Sequence, residues 1–305
     1  MAAKLTMSVS DWLLILVLSV FWGGSFFFAG IAIKEIPPVT LALGRVGIAA
    51  AILLVYLRAK GLKLPPLGPV WSSLVVMALL NNVAPFILIF WSQTHIQSGL
   101  ASILNATTPL FTIVVAHFAT TDDKITPQRL VGLVFGFIGV LIVIGPDALR
   151  DLGINVVAQL ASLMGAVCYA VSGVYGRRFG NLSPAVVSAS ILLIATLVIV
   201  PLALIVDQPW TLPLPSAPAI AATVGVAAIS TAAAFLIYFH VLARAGATNL
   251  LLVTFLIPVS AILLGALFLG ETLAVRHFVG MGAIALGLAA IDGRPQRALA
   301  KIWSS

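Results

Sequence analysis

The chain alternates between long apolar runs and short polar breaks. A helix that crosses the hydrocarbon core of a bilayer needs about 20 mostly apolar residues, because that core is about 30 Å thick and a helix rises 1.5 Å per residue. Cutting the sequence at clusters of charged residues, Pro and Gly leaves ten such runs: 11–33, 38–57, 69–91, 98–119, 127–145, 154–176, 183–206, 216–240, 247–268 and 273–292. The breaks are turn-rich: KEIPP at 34–38, RAKGLKLPP at 58–66, TTDDK at 120–124, RRFGNLSP at 177–184 and DQPWTLPLP at 207–215. They leave no room for a soluble domain. The pattern predicts an all-α integral membrane protein with ten transmembrane helices. The first run is too long for the core of a signal peptide, about 7–15 residues, and no small-residue cleavage site follows it, so a retained helix is expected.

Composition agrees. Of 305 residues, 61% are hydrophobic and only 8% charged, against about 25% charged in a soluble domain. The formal charge of +7 could indicate nucleic acid, but the basic residues are scattered over connectors and not grouped on one face. The single cysteine, Cys168, lies in an apolar run, so no disulfide, metal site or cofactor is expected. On the side of the N-terminus stand twelve basic residues: Lys4, Arg58, Lys60, Lys63, Lys124, Arg129, Arg177, Arg178, Arg244, Arg294, Arg297 and Lys301. The other side has three, Lys34, Arg150 and Arg276. This bias predicts a bacterial-type cytoplasmic (inner) membrane protein with both termini in the cytoplasm. The tail RPQRALAKIWSS, with Trp303, is expected either to rest on the anionic leaflet or to be solvated.

Shifted by 149 residues, the second half lies on the first: Phe86 meets Phe235, Phe90 meets Phe239, Pro109 meets Pro258 and Asp122 meets Glu271. A shift of 148 then superposes Gly132, Gly139 and Gly145 on Gly280, Gly287 and Gly293. Two five-helix repeats are expected, at 1–146 and 147–305. Five is odd, so the second half enters from the opposite side, an inverted repeat of the kind that places a substrate site at the midplane of secondary transporters.

The segments FWGGSFFFAGIAIKEIPPVTLALGR and LIPVSAILLGALFLGETL (256–273) resemble the EamA-type transporters of the drug/metabolite transporter superfamily, over nearly the whole chain. The first half departs from that pattern, with TTDDKIT where the family carries GE. The sequence also resembles the YddG-type amino acid exporters within that family. The resemblance implies export of amino acids or related metabolites by alternating access.

Polar residues in mid-helix need a partner or a wet cavity. Asn81 and Asn82 match Ser230 and Thr231, and Asn105 matches Thr254. Asn105 and Thr254 each stand four residues before a proline, Pro109 or Pro258, expected to kink its helix. These residues either line a substrate cavity or glue helices together. Trp22 and Ser25 share a face of the first helix, and Tyr169 and Met164 lie at similar depth in the sixth, where aromatic groups could stack on cargo or simply pack. Tyr238 could do either, while Trp91, Trp210 and Trp303 read as interface anchors. Arg45 is the one cation well inside a helix; it is either functional or snorkels to the nearby outer interface. The four histidines lie near helix ends and read as interface residues.

No acid falls at mid-membrane, which disfavours a proton-coupled pump built on a buried glutamate. The pair Asp122/Asp123 is too little for a magnesium-dependent prenyltransferase, and a lipid enzyme is a remote alternative. Cargo bearing phosphate should need several cavity cations. What remains is a neutral or zwitterionic, partly apolar small molecule, an amino acid (aromatic ones included) by resemblance, or a drug or other metabolite. Gly132, Gly136, Gly139, Gly280, Gly282 and Gly287 allow close helix approach, within the bundle of a functional monomer or between copies.

Overall fold

The computed structural model describes residues 8–121, 124–145, 153–250 and 253–292, with side chains except at 239, 242, 243, 245–249 and 292. Asp122/Asp123, Lys4, Arg150 and the tail with Gly293, Arg294, Arg297, Lys301 and Trp303 lie outside the described residues.

Among the described residues, the chain is helical almost throughout. Seven membrane-length apolar helices come first: α1 (Val9–Ala32), α2 (Pro38–Ala59), α3 (Val70–Gln93), α4 (Ser98–Ala119), α5 (Pro127–Ile144), α6 (Ile154–Phe179) and α7 (Pro184–Val206). The eighth, α8, runs through Ala217–Ala227, Ala228–Ala233 and Ala234–Leu250. The shorter α9 (Val253–Leu269) and α10 (Val275–Asp292) follow. Sequence chemistry sets the starts. Ser8 and Asp11 form a reciprocal capping box, Ser216 and Thr126 cap α8 and α5, and Pro38, Pro127 and Pro184 occupy first-turn positions where a missing N–H costs nothing. One boundary departs from expectation. The break foreseen after residue 240 is helical to Leu250, because Ala, Leu and Arg sustain a helix whether or not a charge interrupts the apolar run.

The helix contacts repeat when the halves are exchanged. α1 packs on α9 as α6 packs on α4; α1 packs on α8 as α6 packs on α3; α2 packs on α8 as α7 packs on α3. Two pairs map onto themselves, α2 with α7 and α5 with α10. In the second pair the glycines make the contact. A Cβ built on Gly132 would lie 2.5 Å from the Gly287 carbonyl oxygen, and one on Gly139 would lie 2.7 Å from that of Gly280. Gly136 faces Leu110. Gly282 is the correction: among the described residues no neighbouring element comes within 4 Å of a Cβ built on it, so it takes no part in the seam. The opposite stripe of α5, including Val131, Val134, Phe135 and Ile138, is exposed and apolar, as a lipid-facing surface must be.

Connector acids join the halves at one end of the bundle. The Glu35 carboxylate, after α1, accepts from the Ser216 amide and hydroxyl, both at 2.6 Å, at the start of α8. The Asp207 carboxylate, after α7, accepts from the Thr40 amide at 2.6 Å and hydroxyl at 2.9 Å in the first turn of α2. Glu271, after α9, accepts from the amides of Ser98 and Gly99 at 2.9 and 3.0 Å and from the Ser98 hydroxyl, at the start of α4. A helix N-terminus exposes unpaired N–H groups and the positive end of its dipole, so each carboxylate answers both. The LGE sequence thereby gains a physical reading. Gly270 takes the left-handed φ of +65° that ends α9, and the turned chain delivers Glu271 to α4. At the other end, Arg244 Nε pairs with Asp11 Oδ1 at 3.3 Å.

Two outcomes are expected. Gly139→Leu must push α5 from α10 backbone to backbone, at a cost of about 1–3 kcal/mol, lowering the thermal midpoint of the purified protein in detergent, whereas Gly282→Leu leaves it unchanged. The Ser216 hydroxyl and amide hold the Glu35 carboxyl below the usual carboxylate range. Its stabilisation is therefore present above the unfolded pKa, about 4.3, and is lost as pH falls through the lower folded value. Wild type should unfold at a higher temperature than Glu35→Gln at pH 7, with the gap closing only below about pH 4.

Candidate substrate site

The two polar pairs matched by the repeat share an unexpected local structure. Asn81 and Asn82 lie in a π-helical segment, Leu79–Val83, and Ser230 and Thr231 lie in another, Ala228–Ala233. A π segment widens the turn by one residue and leaves backbone groups off the ordinary ladder, and such bulges cluster at functional sites. Pro85 follows the first segment and lacks the N–H that would bond back to Asn81. Position 234, its counterpart, is Ala, so proline is not the shared cause.

The segments dock on equivalent helices. Asn81 Nδ2 donates to Ser172 Oγ on α6 at 3.4 Å. Ser230 Oγ sits 3.8 Å from a Cβ built on Gly24 of α1, one residue from the buried Ser25. Thr231 donates to the Val226 carbonyl at 2.8 Å and accepts from Arg45 Nε of α2 at 3.0 Å. Asn82, the counterpart of Thr231, is 0% exposed, and neither its amide nitrogen nor its oxygen has a hydrogen-bond partner among the described residues. Ser230 Oγ is likewise buried and unpartnered.

Arg45 corrects the snorkelling expectation. It points inward, buried, with its guanidinium 3.7 Å from the centroid of Phe86 and 5.7 Å from that of Phe90. Among the described residues no carboxylate pairs with it. Tyr169 lies within electrostatic reach of it and packs against both apolar cores of the molecule, one centred on α2 and α7, the other on α1, α4, α5 and α9. Trp22 packs on Tyr238 with ring centroids 5.7 Å apart. Thr231, Arg45 and the rings of Phe86 and Phe90 thus form one cluster in which a polar group meets aromatic walls.

Other expected residues divide. Asn105 ends the first piece of α4, its Oδ1 unpartnered. Pro109 does not kink a continuous helix: α4 breaks at Ala106–Thr107 and Pro109 begins the second piece, Thr108–Ala119. Pro258 does stand inside α9, with the half-buried Thr254 one turn earlier. The difference is local. Thr107 and Thr108 turn their hydroxyls onto the Leu104 and Asn105 carbonyls, capping the break. Met164 is 53% exposed and faces away from the cluster. Trp210 is exposed near the end of α7. His277 is the histidine that departs from the interface reading; it is buried beside Arg276, Nε to Nε2 3.4 Å.

The EamA-like transporter family matches residues 11–145 and again residues 157–291. The chain belongs to this family. Its two matched segments each span five of the helices, so the repeat is a family property. Similar proteins include the uncharacterized inner membrane transporter YedA of Escherichia coli, 26% identical over 88% of this chain and 85% of that protein. The uncharacterized transporter YoaV of Bacillus subtilis is 24% identical, over 90% and 94%. Protein PecM of Dickeya dadantii is 27% identical, over 85% and 84%. A solved crystal structure superposes with a TM-score of 0.65 at 19% identity, over 92% of this chain and 96% of that one, and so shares the fold. The chain is thus a multi-pass membrane transporter of the drug/metabolite type and not an enzyme.

Asn82→Leu keeps the branched outline and removes two buried unpaired atoms. The empty protein should gain about 1–3 kcal/mol of stability, read as a raised thermal midpoint, while transport is lost. A lowered midpoint would mean that Asn82 is structural glue.

Proposed function

We propose that this transporter exports small neutral or zwitterionic metabolites, amino acids first and aromatic ones among them, from the cytoplasm across a bacterial-type inner membrane. The observation that carries the proposal is the pair of repeat-related π segments, each presenting polar side chains, two of them buried and without a partner among the described residues, with Arg45 between Thr231 and the rings of Phe86 and Phe90. Trp22, Ser25, Asn81, Asn82, Asn105, Tyr169, Ser230, Thr231 and Thr254 form the substrate set, with Pro109 and Pro258 shaping the helices behind Asn105 and Thr254.

The halves act as inverted copies that rock about this site. The self-mapping helix contacts support that reading, as does the odd helix number of each half. The basic bias of one face supports a cytoplasmic position for both termini. The three carboxylate clasps then stand on the outer face and must open and close with each cycle. A groove of about 430 Å³ lies at the other end, between the ends of α4 and α6, flanked by Arg177 and Arg178. The glycine seam is used within the chain, which supports a working monomer. The aromatic walls also suit a flat apolar drug, the second reading.

Proteoliposomes of the purified protein, offered a panel of labelled amino acids and cationic drugs with and without a pH gradient, test the proposal. Saturable amino acid uptake that is accelerated by the same amino acid on the opposite side is expected, and the double variant Asn82→Leu, Thr231→Leu should abolish it while remaining folded. Flux of drugs alone would select the second reading, and linear, unsaturable flux would indicate a channel.

A further inference from the structure

The two halves are not equivalent in charge. In one, Thr231 receives Arg45 of α2. In the other, the matching Asn82 is offered nothing, because α7, the counterpart of α2, carries no charged residue. Among the described residues the cluster thus holds a single cation, on one side, about 10 Å along α2 from its start.

The protein gives that cation little. Nε donates to one neutral hydroxyl, the guanidinium lies over Phe86, and the two terminal nitrogens have no hydrogen-bond partner among the described residues. Buried guanidinium groups are otherwise held by carboxylates, because removal from water must be offset. With Nε anchored on Thr231 and one face covered by Phe86, the terminal edge is fixed in orientation and left available. Such an edge matches the two oxygens of a carboxylate in a parallel, two-bond fork.

We infer that Arg45 binds the carboxylate of the cargo, making this the residue that selects acids over amides, esters and free amines. The inference rests on the small-molecule site proposed above. It also orients the cargo. The carboxylate lies toward α2, and the apolar body lies away from it. Among the described residues no carboxylate stands in the cluster to pair with an ammonium, so the amino group is recognised less strictly than the carboxylate.

Three competitors separate these demands: L-phenylalanine, L-phenylalaninamide and 3-phenylpropionate. In wild-type proteoliposomes exchanging labelled phenylalanine, the two acids should compete and the amide should be weaker by about 30-fold or more. Arg45→Gln should erase that ratio, and Arg45→Lys, which keeps the charge without the fork, should retain part of it. A structural role would lower all three together and leave the ratio intact. An amide competing within about threefold of the acid in wild type would overturn the inference without any variant. If no amino acid is exchanged, the proposed cargo fails. Arg45 is then judged by thermal shift, where 3-phenylpropionate should stabilise wild type and 3-phenylpropionamide should not; equal shifts, or none, overturn it.

Discussion

A peptide or side-chain group left unpaired in hydrocarbon costs several kcal/mol, and the most telling features of this molecule are answers to that penalty. Helix N-termini are the first problem, since each exposes unpaired N–H groups. Three of them are served by carboxylates from the opposite half, so the chain solves a local backbone problem with a long-range contact. The same bonds hold the halves in register. The motif built on Gly270 and Glu271 is a hinge-and-hook in this sense: the glycine supplies a conformation other residues avoid, and the acid supplies the charge.

The second answer is deliberate incompleteness. The π segments leave the ordinary ladder at two equivalent depths, and Asn82 and Ser230 are buried there without protein partners. Duplication supplied two such segments, and divergence placed a cation beside only one. The result is a pair of segments alike in winding and unlike in charge.

Much of this was legible in the sequence. Hydropathy located the helices, because the length of an apolar run is dictated by the bilayer. The repeat offset located Asn81, Asn82, Ser230 and Thr231, because duplicated helices keep equivalent depth. What sequence could not convey was azimuth and local winding. Arg45 has the reach to snorkel, and only the packing of α2 against α8 turns it inward. Nothing in LLNNV or AISTAA announces a π turn. A proline reads alike whether it stands inside a helix, as Pro258 does, or follows a break capped by threonines, as Pro109 does. Gly282 is spaced as a packing glycine but faces no neighbour. The connector acids were visible as residues, but their partners lie well over a hundred positions away.

The glycine seam between α5 and α10 has the form of an interface between two copies of one molecule. Gly132 meets Gly287 as Gly280 meets Gly139, which is one contact written twice across a pseudo-two-fold axis. An isologous surface of this kind needs no peptide link between its sides. The fold is therefore that of two like units joined end to end.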